Sequence, residues 1–306
     1  MSRGRRRRAK KQRATRTSLE TRLDLHLHTT RSDGRYSPEF VLEQCAARGL
    51  HTVALTDHDV PPSVPAGDHT FGGRTLRVLH GAEVSVRHAE REYHMLAYFP
   101  AQMPEGFRAF LRVRAQARAV RFDGALDLLG FDDIPRADAE AHAGHRALTR
   151  HHLARALVES GRAGSIHSAF QGPLARRRQV VPPIQLTAQD ALTTMRLHGA
   201  IPVWAHPTVE DAEAHAATFR DWGLQGLEAL RASLSGTTSA KLTRIALRNG
   251  LVITGGSDWH GWTRRLGSFR VRSRMVQPFL DLLEPANSQP PPTLVDQTPS
   301  EAVDGA

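Results

Sequence analysis

The chain has 306 residues, of which 40% are hydrophobic and 24% charged, as in an ordinary globular protein with one large or two smaller domains. Its one cysteine, Cys45, excludes a disulfide framework within the chain and favours a cytoplasmic protein. Neither an apolar run of 18 residues nor a signal-peptide core occurs, so we expect no membrane span and no secretory leader.

The positive charge is concentrated at one end of the chain. The formal net charge is +10, but nine of the 41 basic residues lie in residues 1–17, which contain no acid, and the remainder nearly balances the 31 acidic residues. We predict that residues 1–17 form a disordered basic arm. Such an arm could hold nucleic-acid phosphates without sequence preference, or it could be a solvated tail with no specific role.

After the arm, strand and helix patterns alternate. Residues 21–28 read as a strand and residues 38–49 as a helix, with Ser37 as N-cap, Pro38 as first residue and Gly49 as the stop. Further strands are predicted at 51–59, 75–86, 91–99, 200–207, 224–230 and 251–261, and further helices at 107–130, 149–160, 211–223 and 239–250. This alternation predicts an α/β protein with mostly parallel strands, as a barrel more than as an open sheet.

The predicted organisation has three parts. A globular domain spans residues 18–283, and residues 105–175 within it form a helical insertion between strands. Residues 284–306 are rich in proline and polar residues and are predicted to be a disordered tail.

Two histidines share one face of the first strand, in "DLHLHTTRSD". Residues two apart on a strand point to the same side, so the His26 and His28 rings should converge while Leu25 and Leu27 face the opposite way. Such a pair is either a metal site or an accident, and the rest of the chain must decide between these.

Histidines and carboxylates recur in or after the other apolar runs. They are Asp57, His58 and Asp59, then Glu83, His94 and His206, and finally Asp258 and His260. A lone buried histidine is more often a hydrogen-bonded core residue, but strand ends of a barrel converge on one site. So many polar groups would be costly to bury together without cations. Mixed imidazole and carboxylate donors suit manganese, zinc or iron, and their number predicts two or three divalent ions.

These motifs resemble those of the PHP (polymerase and histidinol phosphatase) domain. The resemblance lies in "DLHLHTTRSDGRYSPEFVLEQCAARGLHTVALTDHD", "GAEVS", "YHMLAYF", "AHP" and "GSDWHG", and it covers about residues 22–270. It implies a distorted (β/α)7 barrel with a trinuclear metal centre, manganese being the metal we expect, and hydrolysis of phosphoesters.

The resemblance also implies how the ligands are divided. The first ion would be held by His26, His28, Glu83 and Asp258; the second by Glu83, His94 and His206; and the third by Asp33, His58 and His260. A hydroxide bridging metal ions, held by Glu83, His94 and His206, would be the nucleophile. Asp57 and Asp59 are interpreted either as groups that orient His58 or as carboxylates that cap a turn.

The insertion is similar to one branch of this family. The stretch "ALTRHHLARALVESGRAGSIHSAF" followed by "VVPP" resembles the nucleoside 3′,5′-bisphosphate phosphatase and ribonuclease AM branch. By that match Arg150 and His152 would bind substrate phosphate from a helix capped by Thr149, with His151 pointing elsewhere. The alternative is a surface helix with an exposed arginine and a packed histidine. The match leaves open whether Arg176, Arg177 or Arg178 contacts substrate.

Three functions remain in competition. The first is a metal-dependent phosphoesterase that removes the 3′-phosphate of nucleoside 3′,5′-bisphosphates, trims short RNA from the 5′ end, or does both. The second is a phosphatase for another small phosphomonoester such as histidinol phosphate, and the "TR-x-H" stretch argues against it. The third is a non-catalytic scaffold associated with nucleic acid, which the basic arm favours and the full ligand set disfavours.

Overall fold

Strands and helices alternate along residues 21–284, the part of the chain that the computed structural model describes. The predicted arm and, except for Glu284, the predicted tail lie outside this range. The strands are β1 (Arg22–Leu27), β2 (Thr52–Leu55), β3 (Gly67–Phe71), β4 (Arg74–His88), β5 (Arg91–Phe99), β6 (Ile201–Trp204), β7 (Gly226–Arg231), β8 (Val252–Gly256) and β9 (Val271–Arg272). The helices are α1 (Pro38–Ala47), α2 (Glu105–Leu129), α3 (Ala139–His142), α4 (Arg150–Glu159), α5 (Ile166–Gln171), α6 (Ala188–Leu197), α7 (Val209–Asp221), α8 (Gly236–Arg248) and α9 (Gln277–Leu282).

The first helix begins and ends where its sequence predicts. The Ser37 hydroxyl accepts a hydrogen bond from the Phe40 N–H at 3.3 Å, and Pro38 occupies the first turn. Gly49 has φ +72°, a left-handed conformation that ends the helix at low cost. Cys45 is fully buried on this helix and packs against β1 and β2.

The sheet curls into a nearly closed barrel. Its strand order is β8-β7-β6-β5-β4-β2-β1-β9, and β3 pairs with β4. At the join, a Cβ on Gly256 would lie 2.3 Å from the Cβ of His26, so only glycine permits this approach of β8 to β1. Beyond the strand ends, Asp258 N–H donates to the His26 carbonyl and His28 N–H to the Trp259 carbonyl, both at 3.0 Å. The predicted barrel is confirmed.

The middle of the sheet is antiparallel, so the expectation of mostly parallel strands was incomplete. β1, β2 and β4 run parallel, as do β6, β7 and β8, but β5 runs antiparallel to both β4 and β6. The cause is local: residues 89–90 join β4 to β5 in a two-residue hairpin, with Ala89 at φ +49°. This pairing sets Ser85 opposite His94.

An irregularity in β1 changes which way its side chains point. The register to β2 shifts between Asp24 and Leu27. As a result Leu25 joins the apolar cluster formed by β1, β2, β4, β5, β6 and α9, whereas Leu27 packs with α1. The expectation that Leu25 and Leu27 share a face was therefore wrong, because a bulge breaks the two-residue period.

The apolar core is layered around the barrel. One cluster joins β4–β7 to α6, α7 and α8, and another joins α1 to β1 and β2. Helices α2, α4 and α5 form a cluster of their own, which includes Leu126, Leu153 and Leu157. The inserted helices thus have a separate small core, which fixes α4 relative to α2. Within residues 21–284, no helix combines the length and apolarity that a membrane crossing needs.

Candidate metal centre

Glu83 lies at the middle of the polar cluster. It projects from β4, it is fully buried, and its two oxygens face different sets of imidazoles. Oε2 lies 3.1 Å from His26 Nε2, 3.1 Å from His28 Nε2 and 3.2 Å from His58 Nδ1, whereas Oε1 lies 2.9 Å from His94 Nδ1 and 2.8 Å from His206 Nε2. One carboxylate therefore reaches five imidazoles from four different parts of the barrel.

Two further carboxylates complete the cluster. Asp258, after β8, has Oδ1 at 3.4 Å from the Nε2 atoms of both His26 and His28. Asp33, after β1, has Oδ1 at 3.3 Å from His260 Nε2, and its Oδ2 is 3.8 Å from His58 Nε2. All nine predicted ligands thus lie in one continuous group.

The donor atoms fall into three overlapping sets, in each of which they lie within 4.8 Å of one another. The sets are His26, His28, Glu83 and Asp258; His28, Asp33, His58 and His260; and His58, Glu83 and His94. The first is the set that the family resemblance implied, and the second adds His28 to the implied one. The third replaces His206 by His58, although His206 Nε2 lies 3.1 Å from His94 Nδ1.

Backbone strain accumulates at this site. Three of the non-glycine residues with positive φ in residues 21–284 are here: Asp59 at +49°, His206 at +35° and Asp258 at +53°. Each is held by a hydrogen bond from its backbone N–H, to Glu83 O at 2.9 Å, to Glu228 Oε2 at 2.9 Å and to His26 O at 3.0 Å respectively. Such conformations cost free energy and persist only where neighbouring contacts enforce them.

Glu228 is a site residue that the sequence reasoning missed. It is fully buried on β7, where Oε1 lies 3.0 Å from His26 Nδ1 while Oε2 accepts the His206 N–H. It therefore orients two predicted ligands at once. The available signal was a glutamate inside the apolar strand "LQGLEAL", the same signal that identified Glu83.

Asp57 and Asp59 do not orient His58 through hydrogen bonds. Asp57 accepts bonds from Thr29 N–H at 2.8 Å, Thr29 Oγ1 at 2.7 Å and Ser32 Oγ at 2.6 Å, so it fixes the turn after β1. Asp59 accepts a bond from Arg118 Nε at 2.6 Å. The turn-capping interpretation is correct for Asp57, and Asp59 instead anchors a buried arginine.

The charges of the cluster are strongly coupled. Burial alone would raise the pKa of Glu83, but His58, His26 and His94 hold it well below its usual value. Burial alone would lower the pKa of His28, yet Asp258 and Glu83 raise it to about 10. The carboxylates therefore stay ionised, while imidazoles such as His28 keep protons that a cation would displace.

The residues present fit divalent metal ions. His58 Nδ1 and Asp33 Oδ1 are buried without a hydrogen-bond partner, although each lies close to an opposite group. In each contact the two atoms are as close as in an ion pair, but their orientation is not that of a hydrogen bond. Metal ligands that point at one ion between them would have this geometry. Imidazole and carboxylate donors in such sets suit transition metals.

A cavity of about 390 Å³, the cluster cavity, reaches this centre. Asp33, His58, His94 and His206 line its floor. Its walls carry Arg118, Arg121, Arg150, His151 and Arg176. Glu92 and Asp211 also line the cavity, where they pair with Arg121 and Arg91. The cations that the cavity offers to a negatively charged substrate are therefore chiefly Arg150 and Arg176.

The structure places the predicted substrate residues as follows. Helix α4 begins at Arg150 with Thr149 as N-cap, as predicted, and Arg150 and Arg176 line the cluster cavity, whereas Arg177 and Arg178 do not. His152 Nδ1 accepts the Thr149 N–H at 3.0 Å. Burial lowers the pKa of His152 to about 4. A neutral ring is the form that the bond from Thr149 needs, because the accepting nitrogen must be unprotonated.

His151 departs from expectation. It was expected to point away from the site, but it lines the cluster cavity, and its ring centroid lies 5.0 Å from that of Trp262. The His152 ring is instead turned back to the helix N-terminus, where it accepts the capping bond.

A second cavity of about 420 Å³, the arginine cavity, adjoins the first. It is lined by Arg87, Arg91, Arg121, Arg150 and Arg176, with Glu90 and Glu92 beside them. Four of these arginines also line the cluster cavity, so the two spaces share a wall. Apolar residues, among them Val181 and Ile184, also line this cavity.

This barrel, with a histidine and carboxylate cluster at its strand ends, can be assigned to a known protein family. A family model described as the PHP domain matches residues 24–185, and the chain belongs to this family.

Two individual proteins are similar to this chain over most of its length. The chain is 31% identical over 247 residues to the 5′-3′ exoribonuclease Rnm of Salmonella typhimurium, covering 78% of this chain and 84% of the relative. It is 29% identical over 248 residues to the 3′,5′-nucleoside bisphosphate phosphatase of Chromobacterium violaceum, covering 78% and 87%.

A solved structure from Bifidobacterium adolescentis, whose assignment as a metal-dependent phosphoesterase is itself a prediction, has a TM-score of 0.66 at 25% identity. The match covers 85% of this chain and 95% of that one. The chain is accordingly a hydrolase, and its polar cluster has residues that suit a metal ion.

Proposed function

We propose that the chain is a metal-dependent phosphoesterase that acts on nucleotides, removing the 3′-phosphate of nucleoside 3′,5′-bisphosphates, trimming short RNA from the 5′ end, or both. One observation carries the proposal: a cavity walled by arginines opens onto a buried cluster of nine histidine and carboxylate donors. The names of the two relatives given above specify nucleotides or RNA as substrates, which supports the same substrate class here.

The proposed metal ligands are the nine residues predicted from the sequence. They are His26, His28, Asp33, His58, Glu83, His94, His206, Asp258 and His260, and we expect two or three ions, with manganese as the first candidate and zinc or iron as alternatives. Divalent ions bound there would neutralise phosphate charge and make water a better nucleophile near neutral pH. Glu83 would serve more than one ion, since its two oxygens face separate imidazole sets.

The chain's own cations would bind and orient the phosphate. Arg150 and Arg176 reach the cluster cavity from the insertion, and guanidinium groups pair with phosphate oxygens in a planar fork. Burial lowers the pKa of Arg150, and the nearby Arg176 adds to this, so two like charges face one space. An anion between them would relieve that repulsion.

Arg118 and His152 would contribute by the positions in which they are held or hold other groups. Arg118 is buried and held by Asp59 Oδ2 at 2.6 Å and Ser85 Oγ at 2.5 Å, so it places a fixed positive charge at the cavity wall. His152 fixes the start of α4, and with it Arg150, through the Thr149 bond. Its role as a direct substrate ligand stays a prediction, because one ring nitrogen is already engaged.

The test combines metal analysis with two substrates. The purified chain, supplemented with manganese or zinc, should hold two or three ions and should hydrolyse adenosine 3′,5′-bisphosphate, a short 5′-phosphorylated RNA, or both. Histidinol phosphate serves as the comparison substrate and should be turned over far more slowly. Less than one transition metal per chain, or a preference for histidinol phosphate, would overturn the proposal.

The arm at residues 1–17 is proposed to contact RNA without sequence preference. Nine positive charges can neutralise several phosphates, so deletion of the arm should weaken RNA binding at low salt and flatten its salt dependence. Turnover of a mononucleotide should be the same in both proteins. Equal salt slopes for full-length and truncated chains would make the arm a solvated tail.

A further inference from the structure

A third cavity lies on the opposite side of α4 from the arginine cavity. Its volume is about 430 Å³, and its walls are His151, Arg155 and Val158 of α4, Ile166 of α5, and Trp262 from the loop after β8. We name it the Trp262 cavity. Unlike the two arginine-walled spaces, its inner surface is mostly apolar, although His151, Arg155, Glu159 and Thr263 line it together with Val158, Ile166 and the indole.

Trp262 is held in place although its ring is partly open to solvent. Its indole N–H donates to the Asp33 carbonyl at 2.9 Å, and 40% of the residue is exposed. Asp33 is one of the proposed metal ligands, so the indole is tied to the rim of the metal centre by its polar edge. The exposed part of the ring is open to contact with a ligand.

Cations surround the ring. The guanidinium carbons of Arg155 and Arg35 lie 5.6 Å and 5.8 Å from its centroid. Arg155 is also paired with Glu159 at 3.2 Å, which places a donor and an acceptor at the border of the apolar cavity. An aromatic face bordered by arginines is the arrangement that proteins use to stack nucleic-acid bases beside their phosphates.

The Trp262 cavity adjoins the proposed site at His151. His151 lines both this cavity and the cluster cavity, and its ring contacts Trp262 at a centroid separation of 5.0 Å. A ligand with a phosphate at the cluster could therefore extend past His151 to the indole. The arginine cavity, reached on the other side through Arg150 and Arg176, would suit further phosphates instead.

We propose that the Trp262 cavity receives the base of the nucleotide whose phosphate lies at the metal centre, with the base stacked on the indole. The inference rests on the proposed function and deepens it, because it assigns a subsite to the part of the substrate that is not phosphate. Stacking uses the face of a base and not its edge, so all four bases should be accepted. The subsite thus selects nucleotides over phosphoesters that lack a ring.

The kinetic test measures preference, not activity alone. Adenosine 3′,5′-bisphosphate is compared with its abasic analogue, a ribose bisphosphate without the base, as the ratio of their kcat/KM values. The parent should prefer the base-bearing substrate by about tenfold or more, mainly through KM, and Trp262→Ala should lose that preference. Trp262→Phe, which keeps a ring but loses the bond to Asp33, should keep most of it.

A second variant avoids the bond to Asp33 altogether. Val158→Phe should fill the cavity from α4 and remove the preference while leaving Trp262 in place. Trp222→Phe, a change of a tryptophan that packs against Phe219 at the end of α7, is the matched control and should keep the parent ratio. Equal preference in the parent, Trp262→Ala and Val158→Phe would overturn the subsite.

A binding measurement separates this failure from failure of the proposed function. Adenosine 5′-monophosphate should quench fluorescence of the parent and of Trp222→Phe but not of Trp262→Phe, and ribose 5-phosphate should quench none. Quenching without hydrolysis of any nucleotide or RNA would support the subsite and refute the activity. Hydrolysis without quenching, and without a base preference, would refute the subsite alone.

Discussion

The strand-borne donors and the helix-borne cations meet at one cavity but are built in opposite ways. Glu83, His26 and His28 are fully buried and are fixed by contacts with one another. Arg150 is half-buried at the start of a helix of the insertion, and Arg176 is exposed on a short turn of it. The donors belong to the barrel, whereas these two cations belong to a small helical unit with its own core.

This difference assigns the chemical reaction to the strands and the choice of substrate to the inserted helices. Groups that must converge within a few ångströms come from adjacent strands, whose spacing is set by the sheet. Groups that recognise the rest of the substrate come from helices that can change without disturbing the sheet. Substitutions in the first region should therefore abolish turnover of every substrate, while those in the second should change which substrate is preferred.

The largest effect is expected for Glu83→Ala. Its two oxygens contact five imidazoles, so its loss should reduce turnover by more than about 100-fold, beyond the range for groups that only orient ligands. His260→Ala is the comparison, because that ring contacts only the edge of the cluster. Turnover and bound metal are measured for both, and parental activity in Glu83→Ala would contradict its central role.

Glu228→Gln should be next. It keeps the shape of the side chain but removes the charge that holds His26 and the His206 backbone, so metal affinity should fall about 10- to 100-fold. Competition with a chelator measures this fall. Glu210→Gln, an exposed change on α7, is the control. If both variants retain metal equally, Glu228 only fills space.

Arg176→Ala tests the helix-borne side of the comparison. Loss of one charged hydrogen bond to phosphate should raise KM for a nucleotide about tenfold with little change in metal content. Arg177→Ala and Arg178→Ala are matched controls on the same turn, because neither lines the cavity. A similar KM in all three variants would mean that the turn contributes only general positive charge.

The last prediction concerns the pH dependence of stability, not turnover. Burial lowers the pKa of His152 to about 4, below its ordinary value, so folding favours the neutral ring that caps α4. The unfolded chain therefore binds the proton more readily, and stability should fall as pH decreases from about 6.5 to 4. A pKa difference of about 2.5 units corresponds to a loss of up to about 3 kcal/mol between those two pH values, since each unit is worth about 1.4 kcal/mol.

Denaturant unfolding across that pH range measures this loss. His152→Asn can accept the same bond without titrating, so its stability should change less with pH than that of the parent. His167→Asn, an exposed change on α5, should follow the parent profile. Parallel profiles for the parent and His152→Asn would show that the cap does not titrate there.

Sequence pattern predicted the barrel and the convergence of its donors because strand ends of a barrel converge wherever the helices lie. It failed where local geometry departed from the average: the bulge in β1 reversed Leu25, and the hairpin at residues 89–90 made β5 antiparallel. Glu228 was missed although a glutamate inside an apolar strand was the same signal that identified Glu83, because no histidine or second carboxylate closely follows it in the sequence to mark a motif. His151 was misplaced because the rotation of α4 about its axis is set by packing against α2 and α5, which the sequence of the helix alone does not reveal.

The join between β1 and β8 carries a further consequence. Within the described chain these strands share no ladder; they meet at Gly256 and through hydrogen bonds of His26, His28 and Asp258, which are also proposed ligands or their neighbours. The position where the barrel could open is thus the position where ions would bind. Amide protons along β1 and β8 should consequently exchange with solvent faster than those of β4 and β5, and added manganese should slow the first pair selectively.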